Sequence, residues 1–113
     1  MGCGLSRSNT TTPRQLAEIL YLMAQSENAD TFSASLPVAG RSGTLRSIGR
    51  GSAAEGRIRA KSGTLDRVRN YCGYVTTRSG DRYAFALFVN NYSSSLSTVK
   101  SQIVRVWSKM VSL

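Results

Sequence analysis

Histidine is absent from this 113-residue chain, and cysteine occurs only twice. Without histidine, neither a Ser-His-Asp triad nor a Cys-His pair can form, so any general base must be a lysine, a carboxylate or a tyrosine. Cys3 and Cys72 lie far apart and form no Cys-x-x-Cys pair, so a structural zinc site is not expected. We predict that the chain uses no metal and no other cofactor.

Long apolar runs are also missing. No stretch approaches the roughly 18 apolar residues that a membrane helix needs, and the first residues, Met1–Arg7, contain no apolar core of a signal peptide. We therefore expect no membrane span and no export signal in the chain as written. The composition, 41% hydrophobic and 19% charged, is that of an ordinary globular domain, and the length allows one domain.

Acidic residues are scarce, because 6 Asp and Glu stand against 15 Lys and Arg, for a net charge of +9. This excess is compatible with nucleic-acid binding, with a surface for another anionic partner, or with a solvated arginine-rich face. The aromatic side chains of Phe85 and Phe88 fall in the most apolar segment and are not interleaved with arginines as base-stacking platforms would be. The basic residues concentrate in mid-chain: Arg41, Arg46, Arg50, Arg57, Arg59, Lys61, Arg67 and Arg69.

Two amphipathic helices are predicted. The first covers residues 10–25, with Thr12 as N-cap, Pro13 at the first helical position and Gln15 completing a capping box, and it leaves through a loop at residues 26–28. The second runs from Leu96 close to the C-terminus. Apolar residues recur at helical spacing in both, namely Leu16, Ile19, Leu20 and Met23 in the first, and Leu96, Val99, Ile103, Val106, Trp107 and Met110 in the second.

Between the helices the pattern predicts a loop with short turns over residues 32–56, followed by three strands in an antiparallel meander. The strands are Arg57–Ser62, Val68–Thr76 and Tyr83–Asn90, the last two joined by a turn at residues 77–82. The third strand is apolar throughout, which is typical of a strand inside its sheet with a neighbour on either edge. The predicted fold class is α+β, a small antiparallel sheet with flanking helices.

One short motif, Lys61-Ser62-Gly63-Thr64, carries chemistry at the end of the first predicted strand. Strand alternation places Ser62 and Thr64 on one face and Lys61 and Gly63 on the other. Hydroxyls at Ser62 and Thr64 can hold a carboxylate lying along the strand, and the Thr64 N–H can point at a developing oxyanion. Gly63 allows close backbone packing, and Lys61 supplies a charge or a proton. Alone, the motif is also compatible with an ordinary strand exit.

The surrounding sequence resembles D-alanyl-D-alanine carboxypeptidases of the penicillin-binding protein 4 type. The resemblance covers nearly the whole chain, in the order and approximate spacing of that family. The segments that carry it are Gly4–Arg7, Thr12–Pro13, Leu36–Gly40, Gly43–Leu45, Ala60–Leu65, Gly73–Val75 and Tyr83–Ala86. The opening departs from the family pattern, since Met1 stands where an aspartate is usual and Cys3 where a serine is usual.

The resemblance implies part of a penicillin-binding, β-lactamase-like transpeptidase fold, in which a five-stranded antiparallel sheet is flanked by helices. It also implies an acyl-enzyme mechanism on peptidoglycan peptides ending in D-Ala-D-Ala, in the periplasm or cell envelope. In that mechanism the serine of an early Ser-x-x-Lys attacks, a Ser-x-Asn motif assists, and a Lys-Thr-Gly strand binds the substrate carboxylate. Only the last motif maps here, with Ser62 in the place of the threonine and its hydroxyl kept, so Lys61 is the expected catalytic residue, with Ser62, Gly63 and Thr64 binding substrate.

Two further matches fall in the wrong order for the family. Ser97–Lys100 spells Ser-x-x-Lys and Ser26–Asn28 spells Ser-x-Asn, but both are interpreted as coincidental. We therefore expect residues 1–113 to be the C-terminal part of a single transpeptidase-like domain, inactive alone, whose last strand would self-associate or pair with an N-terminal complement. The complete enzyme would bind peptidoglycan peptides and β-lactams. The alternative is a small basic module that binds nucleic acid or another anion.

Overall fold

The computed structural model describes residues 12–65, 68–90 and 95–113. Its strands form an antiparallel sheet in the order β1-β2-β3, with helices packed against it, so the predicted α+β class and meander are confirmed. The elements in chain order are α1 (Pro13–Ala24), α2 (Ala29–Ala34), a 3-10 turn (Gly43–Leu45), β1 (Ile58–Leu65), β2 (Val68–Thr76), β3 (Arg82–Asn90) and α3 (Leu96–Val111).

Helix α1 begins as predicted. The Thr12 side chain accepts a hydrogen bond from the Gln15 N–H at 3.1 Å, and the Gln15 side chain accepts one from the Thr12 N–H at 3.0 Å. Leu16 and Leu20 are buried, so one ridge of the helix packs on the sheet. On the opposite side of the helix, Leu22 is 65% exposed, a large fraction for an apolar side chain of this size.

Helix α2 was not predicted, and the loop assigned to residues 32–56 is wrong at its start. The helix has six residues and no side-chain hydrogen bond at its N-cap, Asn28, so its sequence carries little helical signal. Tertiary contact holds it instead, because the Phe32 ring meets the Tyr74 ring edge-on at a centroid distance of 6.2 Å. The rest of that stretch consists of turns. One of them is the 3-10 turn Gly43–Leu45, in which Leu45 is completely buried.

Two cores lie on opposite faces of the sheet. On one face, Trp107 of α3 is fully buried and packs edge-on against Tyr71 at 5.6 Å and Phe85 at 6.2 Å. On the other face, α1 and α2 cover Cys72 and Tyr74, and the Tyr74 hydroxyl donates to the Leu20 carbonyl at 2.7 Å. We call these the α3 face and the α1 face.

Strand β3 has one paired edge. It pairs with β2 from Val68↔Asn90 to Thr76↔Arg82, and no strand among residues 12–65, 68–90 and 95–113 pairs with its other edge. The sequence predicts a neighbouring strand on each edge of β3, and among the described residues β2 is the one neighbour present. None of the helices in the described ranges is long and apolar enough to cross a membrane.

Candidate functional site

Strand β1 runs three residues past its predicted end at Ser62 and reaches Leu65, so the whole Lys61–Thr64 motif lies in the sheet. The pairing continues through Gly63↔Asn70 and Thr64↔Arg69, where the small residues had indicated a strand exit. Because side chains alternate along a strand, Lys61 and Gly63 belong to the α1 face and Ser62 to the α3 face. The Thr64 side chain lies outside what the structure describes.

The outer edge of β1 is partly covered. The Ala60 N–H donates to the Pro37 carbonyl at 3.0 Å, and the Ile58 carbonyl accepts from the Ala39 N–H at 2.9 Å. Residues two apart along a strand direct their backbone groups to the same edge. The N–H groups of Ser62 and Thr64 therefore point to this outer edge. Among the described residues, the β-bridge between Val38 and Arg59 lies on this edge, and none follows it toward Leu65.

Charge and hydroxyl groups gather at the same edge. The Lys61 ammonium donates to the Ser62 carbonyl at 2.9 Å, and that carbonyl belongs to the outer edge. The Ser62 hydroxyl donates to the Thr44 hydroxyl at 3.2 Å. One cation, two hydroxyls and outward N–H groups can together hold a carboxylate or an oxyanion.

Thr44 is the residue that sequence reasoning missed. The segment Gly43–Leu45 matches the family pattern, but it suggested no role for the threonine. The contact depends on a turn that brings Thr44 18 positions back along the chain to Ser62, which no local pattern reports. The burial of Leu45 anchors that turn.

The serines of the two motifs interpreted as coincidental have local hydrogen-bond partners. The Ser26 hydroxyl donates to the Met23 carbonyl at 2.8 Å, in the turn after α1. Ser97 is exposed in the first turn of α3, and its hydroxyl lies 3.2 Å from the Ser95 hydroxyl. Lys100 reaches the Ser47 hydroxyl at 3.4 Å.

Cys72, the register partner of Lys61, is disulfide-bonded. The spacing of the two cysteines predicted no zinc site and gave no signal for a disulfide. The other cysteine of the sequence is Cys3, outside the described residues. Among the described residues, no group of three or more His, Cys, Asp or Glu side chains is placed to hold a metal ion.

The model of the D-Ala-D-Ala carboxypeptidase 3 (S13) family matches residues 1–110. This chain belongs to that family. Within 97 aligned residues it is 42% identical to the D-alanyl-D-alanine carboxypeptidase of Actinomadura sp. (strain R39) and 34% identical to the D-alanyl-D-alanine carboxypeptidase DacB of Haemophilus influenzae. These alignments cover 81% and 82% of this chain but only 18% and 20% of the relatives, so the chain spans about a fifth of their length.

The fold agrees with the family. The crystal structure of penicillin-binding protein 4 from Haemophilus influenzae superposes with a TM-score of 0.83 at 25% identity, covering 97% of this chain and 26% of that chain. The same protein has been solved in complex with a β-lactam. A predatory endopeptidase of Bdellovibrio bacteriovorus, acylated by penicillin G and bound to an immunity protein, has a TM-score of 0.68 at 23% identity, which shows the fold alone; 89% of this chain and 28% of that chain are covered.

Proposed function

We propose that this chain is the C-terminal portion of a serine-type D-Ala-D-Ala carboxypeptidase that acts on peptidoglycan peptides through an acyl-enzyme. The observation that carries the proposal is the open outer edge of β1, which gathers the Lys61 ammonium, the Ser62 and Thr44 hydroxyls and the outward N–H groups. A substrate strand ending in a carboxylate can pair along this edge. Family membership supplies the reaction class.

Each residue of the motif has a role in this proposal. Lys61 and the Ser62 hydroxyl bind the substrate carboxylate, for which the Ser62 O–H turns from Thr44 to the carboxylate and the Thr44 hydroxyl donates to Ser62 in exchange. The Thr64 N–H stabilises the oxyanion of the tetrahedral intermediate. Gly63 has no side chain to obstruct a substrate or protein segment lying against the α1 face of the strand. The attacking serine and its lysine belong to an upstream Ser-x-x-Lys, outside this chain.

Among the described residues, the sheet has an unpaired edge at β3, which indicates that strands from another part of the protein complete it. Residues 1–113 form the C-terminal part of a single transpeptidase-like domain, whose upstream part adds strands beside β3. Tyr83 of β3 is 44% exposed, so a large apolar side chain stands on the unpaired strand. A cavity of about 440 Å³ between α1 and β3 is lined by Tyr21 and Tyr83 together with Arg14, Glu18 and Arg82. The complete enzyme would work in the periplasm or cell envelope, where peptidoglycan and β-lactams are accessible.

The unpaired edge leads to a prediction about the isolated chain. Because an exposed strand edge with adjoining apolar surface favours pairing between copies, the chain alone is expected to be oligomeric or poorly soluble. Size-exclusion chromatography with light scattering measures this directly. A monodisperse monomer at micromolar concentration would contradict the prediction.

The function is tested on a longer polypeptide that begins upstream of Met1 in the same reading frame. It is expected to release D-alanine from a peptide ending in Lys-D-Ala-D-Ala. Lys61→Ala removes the cation at the β1 edge, and kcat/KM should fall by about a hundredfold or more. Arg46→Ala, which removes an exposed charge elsewhere, should leave kcat/KM nearly unchanged. A folded polypeptide that releases no D-alanine, or equal losses in both variants, would refute the proposed function.

The alternative, a nucleic-acid-binding module, has little support in the arrangement of the aromatics. Phe85 is buried beneath Trp107 on the α3 face and cannot stack on a base. The Tyr74 ring is likewise buried between α1 and the sheet. Neither ring is therefore available as a base-stacking platform.

A further inference from the structure

Three arginines meet on the α1 face of the sheet, at the opposite end of β1 from Ser62. The Arg57 carbonyl accepts from the Thr76 N–H at 2.9 Å, and Thr76 pairs with Arg82, so Arg57, Thr76 and Arg82 form one row across the strands. Arg59 stands in the next row, opposite Tyr74. Arg57 and Arg82 lie on either side of Thr76, about two strand spacings or roughly 10 Å apart, and Arg59 is two positions from Arg57 along the chain, so three like charges share one end of this face.

The three arginines line one cavity of about 290 Å³, here called the arginine cavity. The Arg82 guanidinium lies 4.9 Å from the centre of the Tyr74 ring and donates to the Ser33 hydroxyl. The Arg57 guanidinium donates to the Thr77 carbonyl at 3.0 Å. Each guanidinium has five N–H donors, so these single bonds position the groups and leave donors for a ligand.

The arginine cavity has an excess of positive charge. Among the described residues that line it, Asp30 is the one carboxylate, against Arg57, Arg59 and Arg82. In the ranges 12–65, 68–90 and 95–113, the ion pairs are Arg14–Glu18 and Arg41–Glu55, so none of the three arginines is neutralised there. Burial raises the pKa of Tyr74, against an opposing effect of Arg82, so this phenol adds no negative charge at neutral pH.

We propose that the arginine cavity binds a compact dianion, either a phosphate group or a small dicarboxylate. Three arginines against one carboxylate leave a net charge of +2 in the lining, which two negative charges on the ligand would balance. Guanidinium groups bind both phosphate and carboxylate oxygens through paired N–H donors. A bound anion would also relieve the repulsion within the arginine row. This site does not depend on the hydrolase chemistry proposed for the β1 edge.

Binding is tested by equilibrium dialysis of this chain against labelled phosphate and, separately, labelled glutarate, at constant ionic strength with chloride as the balancing anion. Arg59→Gln is the informative variant, because Arg59 is exposed and its side chain, unlike those of Arg57 and Arg82, forms no hydrogen bond or ion pair among the described residues. Arg78→Gln is the matched control, since it removes one exposed charge outside the cavity. Far-ultraviolet circular dichroism checks that both variants fold.

The parent chain should bind at least one of the two anions saturably, and the anion that binds identifies the ligand as phosphate or dicarboxylate. Arg59→Gln should weaken binding about tenfold or more, as expected for a lost charge-assisted hydrogen bond, while Arg78→Gln should not. Arg59→Lys, which keeps the charge but not the fork, should fall between the parent and Arg59→Gln. Saturable binding of neither anion, or equal loss in Arg59→Gln and Arg78→Gln, would overturn the proposal.

Discussion

The isolated chain is expected to form no covalent adduct with a fluorescent penicillin. Its sequence contains one Ser-x-x-Lys, at Ser97–Lys100, in the helix that packs on the α3 face. Lys100 reaches the Ser47 hydroxyl at 3.4 Å, and Ser97 shares hydroxyl contacts with Ser95 at 3.2 Å. In neither contact does Lys100 act on the Ser97 hydroxyl as a general base would on a nucleophile. Loss of nucleophile and base costs on the order of 10⁶ in rate, so binding groups alone recover no measurable acylation.

The measurement is gel fluorescence followed by intact mass, with the heat-denatured chain as the control for nonspecific labelling. A stoichiometric adduct that requires the folded chain would contradict the prediction. Ser97→Ala would then decide whether the adduct depends on that serine. Loss of the adduct in Ser97→Ala would mean that the order of motifs had been interpreted wrongly.

Gly73→Ala is expected to cause a large loss of stability. A Cβ at Gly73 would lie 2.0 Å from the Arg59 carbonyl oxygen and 2.7 Å from the Ala60 Cα, both in the backbone of β1. No side-chain rotation relieves a clash with backbone, so β1 and β2 must separate where Ala60 pairs with Gly73. We expect a loss of about 3 kcal/mol in the free energy of unfolding, measured by urea denaturation.

Gly51→Ala is the matched control. Gly51 has a φ of 80°, but a Cβ there meets nothing within 4 Å, so the cost is limited to the left-handed backbone, about 1 kcal/mol. Equal effects of the two substitutions would contradict the account of strand packing. The clash also gives a physical reason for glycine in the family segment Gly73–Val75. A side chain at Gly73 would displace β1, the strand that carries the motif of the candidate site.

Local signals in the sequence were enough for α1 and for the central part of each strand. The hydrogen bonds between Thr12 and Gln15 are formed by residues three positions apart, so their partners can be read directly from the chain. Helix α2 depends instead on the ring of Tyr74, far away in the sequence, and such a contact leaves no periodic pattern. The end of β1 pairs with the nearby residues Arg69 and Asn70, but its small residues resemble a strand exit, so the sequence placed the end too early.

In the candidate site, too, the residues of a contiguous motif could be predicted, whereas those brought together by folding could not. Lys61, Ser62 and Gly63 could be predicted because the motif is contiguous and its type is known, although their roles stay predictions. The Thr44 contact depends on how a turn packs beneath β1, and the arginine row depends on the register of three strands. Arg57 and Arg82 are 25 positions apart in the sequence, and only pairing through Thr76 brings them into one row.

The most direct test of the central claim, that this chain supplies the binding side of a site whose nucleophile lies upstream, is to map the penicillin adduct in the longer polypeptide. Proteolysis and mass spectrometry after penicillin G treatment should place one adduct on the serine of a Ser-x-x-Lys upstream of Met1, with much slower acylation in Lys61→Ala. An adduct on Ser97, or a folded polypeptide that forms no adduct, would contradict the claim.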